Sequence, residues 1–358
     1  MRLSYENVNW LIQNSSPQIR YRVYIELLGD TTEREKELLK KNLLSDNLVQ
    51  LWLRNLRPNF DKNTLHSGKS EAFENAMGKL YEFGLRKGEK ILDKRTEPFR
   101  LWLAKQIHLP NEGYFPVLYR TIVASFLSMT GYSNDDAVKT TILKRLETIY
   151  TFAKEGNLND VYIPQDSFSS FPKNLRGYPL INPDLYPEGD MKLPWIYDIY
   201  AFMHSSFIME DAELRNKVET IIAFILKPEY QKLHQHYGVI YKKPNKYYVM
   251  GWNVHLPGYF QSSIAPENFG YFMLMLNLMS RSKTARKHQW FTRSFSFLEK
   301  FRTEDGLILF PRNFLPEKKF GYWIAGKRMG LEVNRRIEKA IKCESTFRYL
   351  ELAARIAN

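Results

Sequence analysis

A single cysteine, Cys343, stands in 358 residues. With no second thiol, an internal disulfide is impossible and four-cysteine zinc sites are excluded. A lone cysteine of this kind reads as a small buried hydrophobe before it reads as a nucleophile. Long hydrophobic runs are lacking too. The longest lies near Phe269–Met279, far short of the roughly 20 residues a membrane span needs. The opening Met1-Arg2-Leu3-Ser4-Tyr5-Glu6 has no apolar core of a secretory signal, so the expected location is the cytoplasm. No stretch has the low hydrophobicity of a disordered tract.

Hydrophobic residues make up 44% of the chain, enough to fill a large core, and the net charge is +13. That charge is uneven. Between Arg281 and Arg348 there are 17 Lys and Arg against 7 Asp and Glu, which accounts for ten of the thirteen net positive charges. A basic C-terminal third points to a polyanion, an anionic membrane surface or a phosphorylated ligand as partner; the plainer reading is a solvated basic face.

Helix punctuation is dense. Ser16-Pro17 supplies an N-cap followed by proline at the first helical position. Ile19, Val23 and Leu27 then mark one face, and Gly29 stops the helix. Thr32 with Glu35, and Ser133 with Asp136, read as capping boxes. Two kinds of helix alternate. Segments 117–129, 195–209 and 269–279 are apolar almost all the way round, which predicts burial on every face. Each precedes a one-sided helix, at 134–153, 212–227 and 284–301. Residues 71–107 fit the same plan, and 5–13, 17–28, 33–53 and 340–356 add further helices. About a dozen helices, or six hairpins, predict one all-α domain over 1–358: a two-layered (α/α)6 toroid around a central cavity. The long connections 155–193 and 229–266 are rich in proline and aromatics and read as ordered loops over one face, with short strands at Val239–Tyr241 and Lys246–Met250.

Several phrases carry a resemblance: Leu65-His66-Ser67-Gly68-Lys69-Ser70, Gly78-Lys79-Leu80-Tyr81-Glu82-Phe83-Gly84-Leu85, the turn Gly131–Asp135, Glu304-Asp305-Gly306 and Glu344-Ser345-Thr346-Phe347. With the paired helices, they resemble the terpenoid cyclase and protein prenyltransferase superfamily, and within it bacterial squalene-cyclase-like or prenyltransferase-like repeat proteins. The resemblance implies the toroid fold. It transfers no active-site residue. The DxDD motif of class II cyclases is absent, Asn134-Asp135-Asp136 reading as turn and cap. The DDxxD motif is absent too, since Ala137, Val138 and Lys139 follow Asp136. The zinc-binding D-x-C of prenyltransferases is missing, because Ile341 stands two residues before Cys343.

In a toroid, polar chemistry belongs at the starts of the inner helices. Candidates there are His66, Lys69 and Glu71; Glu112, Tyr114 and Arg120; Trp195 and Asp198; Glu267 and Asn268; Glu344, Ser345 and Arg348. The catalytic candidates are Asp198, His255 and Glu267. Asp198 sits one turn into an otherwise apolar helix, where burial raises a carboxyl pKa and suits it to general-acid work. The competing reading makes it a structural carboxylate that caps a helix or pairs with Arg120. His255 lies among aromatics in Trp252-Asn253-Val254-His255, as an acid–base group or a structural histidine. Trp195, Trp252, Tyr248, Arg120, Glu344 and His66 are the ligand-binding candidates. His234 and His236 have no third ligand at a clear spacing, so no metal is assigned, and no cofactor is identified. Three functions follow: a toroid that binds, and transforms, an apolar or isoprenoid-like small molecule in its cavity; a carbohydrate hydrolase or lyase with paired carboxylates, Asp198 with Glu267 or Glu344; and a non-enzymatic helical-repeat scaffold for nucleic acid or protein. In the basic region, Lys318, Lys319, Lys327 and Arg328 are the cations expected to meet a phosphate group, an anionic lipid surface or another polyanion, the plainer reading being an ordinary exposed connection.

Overall fold

The computed structural model describes residues 5–29, 31–111, 113–167, 171–242, 246–261 and 263–357; Glu112 lies outside them. The chain is mostly helical, with sixteen α-helices and one small sheet among the described residues. It folds as two compact units. One joins the residues up to Glu97 with those from Pro257 onward; the other runs Pro98–Leu256.

The first unit takes α1 (Tyr5–Asn14), α2 (Pro17–Arg22), α3 (Glu33–Ser45), α4 (Asn47–Asn55) and α5 (Phe73–Glu82), and α6 (Lys90–Gln106) begins in it. Helix α2 runs on into a π-helical turn, Val23–Leu28, which ends at Gly29 with φ +76. The capping box at Thr32 forms: Thr32 Oγ1 accepts from Glu35 N, and Glu35 reaches back to Thr32 N. The single helix expected over 33–53 is two helices, because Asp46 leaves helical geometry and caps α4 by accepting from Leu48 N and Val49 N.

The second unit holds α7 (Tyr114–Met129), α8 (Asp136–Glu155), α9 (Ile196–His204), α10 (Ser206–Glu210), α11 (Ala212–Ile225) and α12 (Pro228–Gln231). Thirteen of sixteen residues of α7 and eight of nine in α9 are buried, against seven of twenty in α8 and five of fourteen in α11. The expected alternation of all-round and one-sided helices is therefore present here. Helix α7 packs on α8 and α9, and α8 on α11. Ser128 Oγ ties α7 to α9, donating to Ala201 O at 3.2 Å. Ser133 does not cap α8. Its Oγ accepts from Ser206 N at 3.3 Å, and Asp135 is the residue at the helix start.

The two long connections meet in one sheet. Strands β1 (Tyr162–Ile163), β2 (Leu180–Ile181), β3 (Val239–Lys242) and β4 (Lys246–Val249) lie in that order, antiparallel except for the parallel β2–β3 pair. The β3–β4 hairpin falls where short strands were expected, at Val239–Tyr241 and Lys246–Met250.

The chain then returns to the first unit with α13 (Phe269–Met279), α14 (Lys283–Lys287), α15 (Gln289–Leu298) and α16 (Glu338–Ala357). Nine of eleven residues of α13 are buried and four of ten in α15. All ten residues of α5 are buried, including Glu74, Asn75, Lys79 and Glu82. Both ends of the chain contribute to this unit: Gln18 Nε2 donates to Leu331 O, and Asn7 Nδ2 to Gly306 O. No described helix is long and apolar enough to cross a membrane.

Candidate functional site

The polar centre of the second unit is built around Arg145. On α8, Val138, Ile142, Leu146 and Ile149 form the inward stripe. Arg145 stands three residues after Ile142 and four before Ile149, so helical geometry turns it to the same face. There it is 3% exposed. Its Nε and one terminal nitrogen fork onto the two carboxylate oxygens of Asp198, both at 2.9 Å. The other terminal nitrogen donates to Met191 O at 2.7 Å and to Asp190 Oδ1. The guanidinium lies 4.5 Å above the Trp195 ring, and Tyr114 meets that ring edge-on at 5.4 Å.

Asp198 sits at the third position of α9 and also accepts from Trp195 N at 2.8 Å. It thus caps its own helix while pairing with Arg145. Burial pushes its carboxyl above the ordinary value, against the pull of Arg145 and the Trp195 N–H. Burial likewise pushes the Tyr114 hydroxyl up. The expected partner of Asp198, Arg120, is elsewhere. Its nitrogens donate to Gln106 O at 3.0 Å and to Asn111 Oδ1. Arg145 replaces it because α8, not α7, presents a cation to the start of α9.

Asp190 reaches Arg145 through a close backbone approach. At Gly189, φ is +85, and a Cβ would stand 2.0 Å from Gly113 C and 2.2 Å from Tyr114 N; only glycine fits. The second long connection is fixed to the start of α9 as well: Trp195 bridges Asn253, and Ile196 N donates to Trp252 O at 2.7 Å. Trp252 holds φ at +72, a conformation that costs a non-glycine residue about 1–3 kcal/mol unless its surroundings enforce it.

The remaining candidates fall as follows. His255 is half-buried; its backbone N–H donates to Asn253 O at 3.0 Å, and burial lowers its imidazole pKa. Tyr248 is half-buried, edge-on to Phe115 at 5.1 Å. In the first unit, Glu267 is exposed on the short turn Pro266–Asn268. Glu344 is fully buried in α16 between Arg335 and Arg348. His66 directs Nδ1 at both oxygens of buried Glu74, 3.1 Å from each, and stacks on Tyr322. Cys343 is buried, and burial pushes its thiol up to about 12, as expected of an inert packing residue. Arg328 is no surface cation. It is 1% exposed and donates to the carbonyls of Gly68, Lys318, Lys319 and Gly321 and to Ser70 Oγ. Three of the four carbonyls belong to the loop 318–328, so the guanidinium satisfies acceptors of the segment that wraps it. No group of three or more potential metal-ligating side chains occurs among the described residues.

Beside Arg145 a pocket of about 60 Å³ opens. Ile107, Leu109 and Val117 form an apolar wall, Arg120, Lys144 and Arg145 supply cations, and Asp190, paired with Arg145, adds one carboxylate. Arg120 is 8% exposed, and its partners are neutral oxygens; no carboxylate pairs with it among the described residues. Burial lowers its pKa and the more distant Asp190 raises it. Each terminal nitrogen of Arg120 thus spends one N–H on a neutral oxygen.

Sequence reading missed Arg145, although its place on the α8 stripe was a usable signal. Asp190 carries none, since a loop geometry brings it in. No family model, curated protein or solved structure matches this chain.

Proposed function

We propose that this chain is a small-molecule-binding protein, and that its ligand is an amphiphile: an acidic head seated between Arg120 and Lys144, with an apolar body along Ile107, Leu109 and Val117. The carrying observation is Arg120, a buried guanidinium whose partners are neutral. Leaving such a charge without a counterion is costly, and an incoming carboxylate or phosphate offsets that cost. About 60 Å³ suits a head group, each water-sized sphere needing about 10–15 Å³. This reading keeps the apolar, isoprenoid-like ligand inferred from the sequence and adds an anionic end to it.

Asp198 serves here as a positioning group. Both its oxygens are taken by Arg145, so it holds the pocket's rear wall rather than donating a proton. The two-layered toroid and the cyclase-like ancestry belong to the same proposal; the alternation of all-round and one-sided helices within each unit supports them.

Titrating octanoate and geranyl diphosphate, with heat release as the readout, tests the assignment. Arg120→Met is expected to weaken binding of the preferred acid by tenfold or more, the share of a charge-assisted hydrogen bond worth about 1.5–3 kcal/mol. Equal affinity in wild type and variant removes the pocket from consideration. Mass spectrometry of extracted protein gives the native ligand, and a neutral molecule there overturns the acidic head.

A further inference from the structure

The first unit contains a second cluster of charge. Arg22, at the end of α2, is buried. Its Nε and one terminal nitrogen chelate Glu26, at 3.0 and 2.7 Å, and the same terminal nitrogen reaches Glu351 Oε1 at 2.6 Å. Arg355 takes that Glu351 oxygen as well, at 2.6 Å. Both carboxylates are therefore engaged by Arg22. A pocket of about 340 Å³ opens beside them, lined by both carboxylates, by Arg86, Arg281 and Arg355, and by Tyr81, Leu27 and Ala354.

Arg281 is the unusual member. One terminal nitrogen donates to the Tyr81 hydroxyl at 3.1 Å, its buried Nε has no partner, and no carboxylate pairs with it among the described residues. Arg86 lies flat on the Tyr81 ring, 4.3 Å from its centroid, with Glu26 3.6 Å away. Three guanidinium groups, of Arg86, Arg281 and Arg355, thus line the pocket against the two carboxylates of Glu26 and Glu351, an excess of one positive charge, and Arg22 pairs with Glu82 besides those two. Glu26 and Leu27 are presented by the π-helical turn Val23–Leu28. Such turns are rare and concentrate at functional sites.

We propose that this pocket binds the phosphate group of a phosphorylated molecule, with Arg281, Arg355 and Arg86 as its ligands. The net positive lining favours an anion, the planar guanidinium donors match phosphate oxygens, and the volume leaves room for an organic remainder against Leu27 and Ala354. Burial, with Arg355 alongside, disfavours the Arg281 charge more than Tyr81, Glu351 and Glu26 favour it; a bound anion adds to the favouring side. The site is independent of the amphiphile pocket in the other unit.

The test is thermal unfolding of the full chain at constant ionic strength with inorganic phosphate, with acetate, and with phosphatidic acid vesicles. Phosphate is expected to raise the midpoint saturably and acetate to leave it unchanged. Arg281→Gln should lose the phosphate response and, in buffer alone, melt at the wild-type temperature or a few degrees above it, because an uncompensated charge has been removed. Arg86→Gln should weaken the response about tenfold, and the exposed control Arg312→Gln should keep it. Vesicle binding that needs Arg281, with no response to free phosphate, assigns the phosphate to a lipid head group. An undiminished response in Arg281→Gln overturns the proposal, as do equal responses to acetate and phosphate, or no response to any of the three probes. So does an Arg281→Gln protein that melts well below wild type together with an Arg86→Gln protein whose phosphate response stays at full strength, which makes Arg281 a structural cation.

Discussion

Asp198 and Arg145 carry opposite charges 53 positions apart, and each is the other's chief partner inside the second unit. A buried pair of this kind contributes little over a well-packed apolar pair, but breaking it leaves an uncompensated charge. Asp198→Asn keeps the size of the side chain and the acceptor for Trp195 N, yet leaves Arg145 with Asp190 and Met191 O alone. It is expected to cost about 3–5 kcal/mol, read as a lowered urea midpoint at unchanged slope. An unaltered midpoint means that Asp190 alone neutralises Arg145. The same logic separates Arg145 from Arg120 and Arg281. The first is hydrogen-bonded to two carboxylates; the hydrogen-bond partners of the other two are neutral, and those are the residues assigned to ligands.

Among the elements, α5 and α16 depart furthest from what periodicity announces. Glu74, Asn75, Lys79 and Glu82 in α5, and Glu344, Arg348 and Glu351 in α16, are buried, though charged side chains are ordinarily exposed. Their partners come from remote segments: Lys79 Nζ donates to Glu317 Oε2 at 2.7 Å, and Asn75 holds Ser67 O, Lys69 O and Trp323 N. The apolar helices α7, α9 and α13 were legible because their burial is written in composition alone. Caps were half legible. Thr32 with Glu35 forms its box because both residues belong to one turn, whereas Ser133 is drawn off to Ser206 across the helix pair. The break at Asp46 had a signal in Ser45-Asp46-Asn47, three residues with N-cap preference. Asp46→Ala is expected to remove about 1 kcal/mol, with a matching loss of helical circular dichroism on heating; no change in either sinks the assignment of Asp46 as the cap of α4.

At the scale of the molecule, buried ionic networks make stability depend on pH. Burial pushes the Glu351 carboxyl up, but Arg22, Arg355 and Arg348 outweigh it and hold the group far below its usual 4.5. A depressed folded value means that the unfolded chain binds the proton more readily. The contribution of Glu351 is therefore present above about pH 4.5 and fades as the pH falls below it. Asp198, raised by burial, runs in the opposite sense, so the difference between wild type and Glu351→Gln isolates the first effect. That difference in urea midpoint should be large at pH 7 and shrink steadily between pH 5 and 3. A difference independent of pH makes the interaction non-ionic.

The sequence by itself determined the helical class, most helix positions, the β3–β4 hairpin and the inert cysteine. These rest on periodicity, cap chemistry and side-chain type, which act within a few residues. Only the tertiary structure decided which charges meet: Asp198 with Arg145 rather than Arg120, Glu351 between Arg22 and Arg355, and Arg328 inside its own loop. Coulombic and hydrogen-bond partners are chosen by distances of about 3 Å between elements far apart in the chain, and no local pattern encodes those distances. Packing sets them, and with them which arginines are left without a carboxylate to hold.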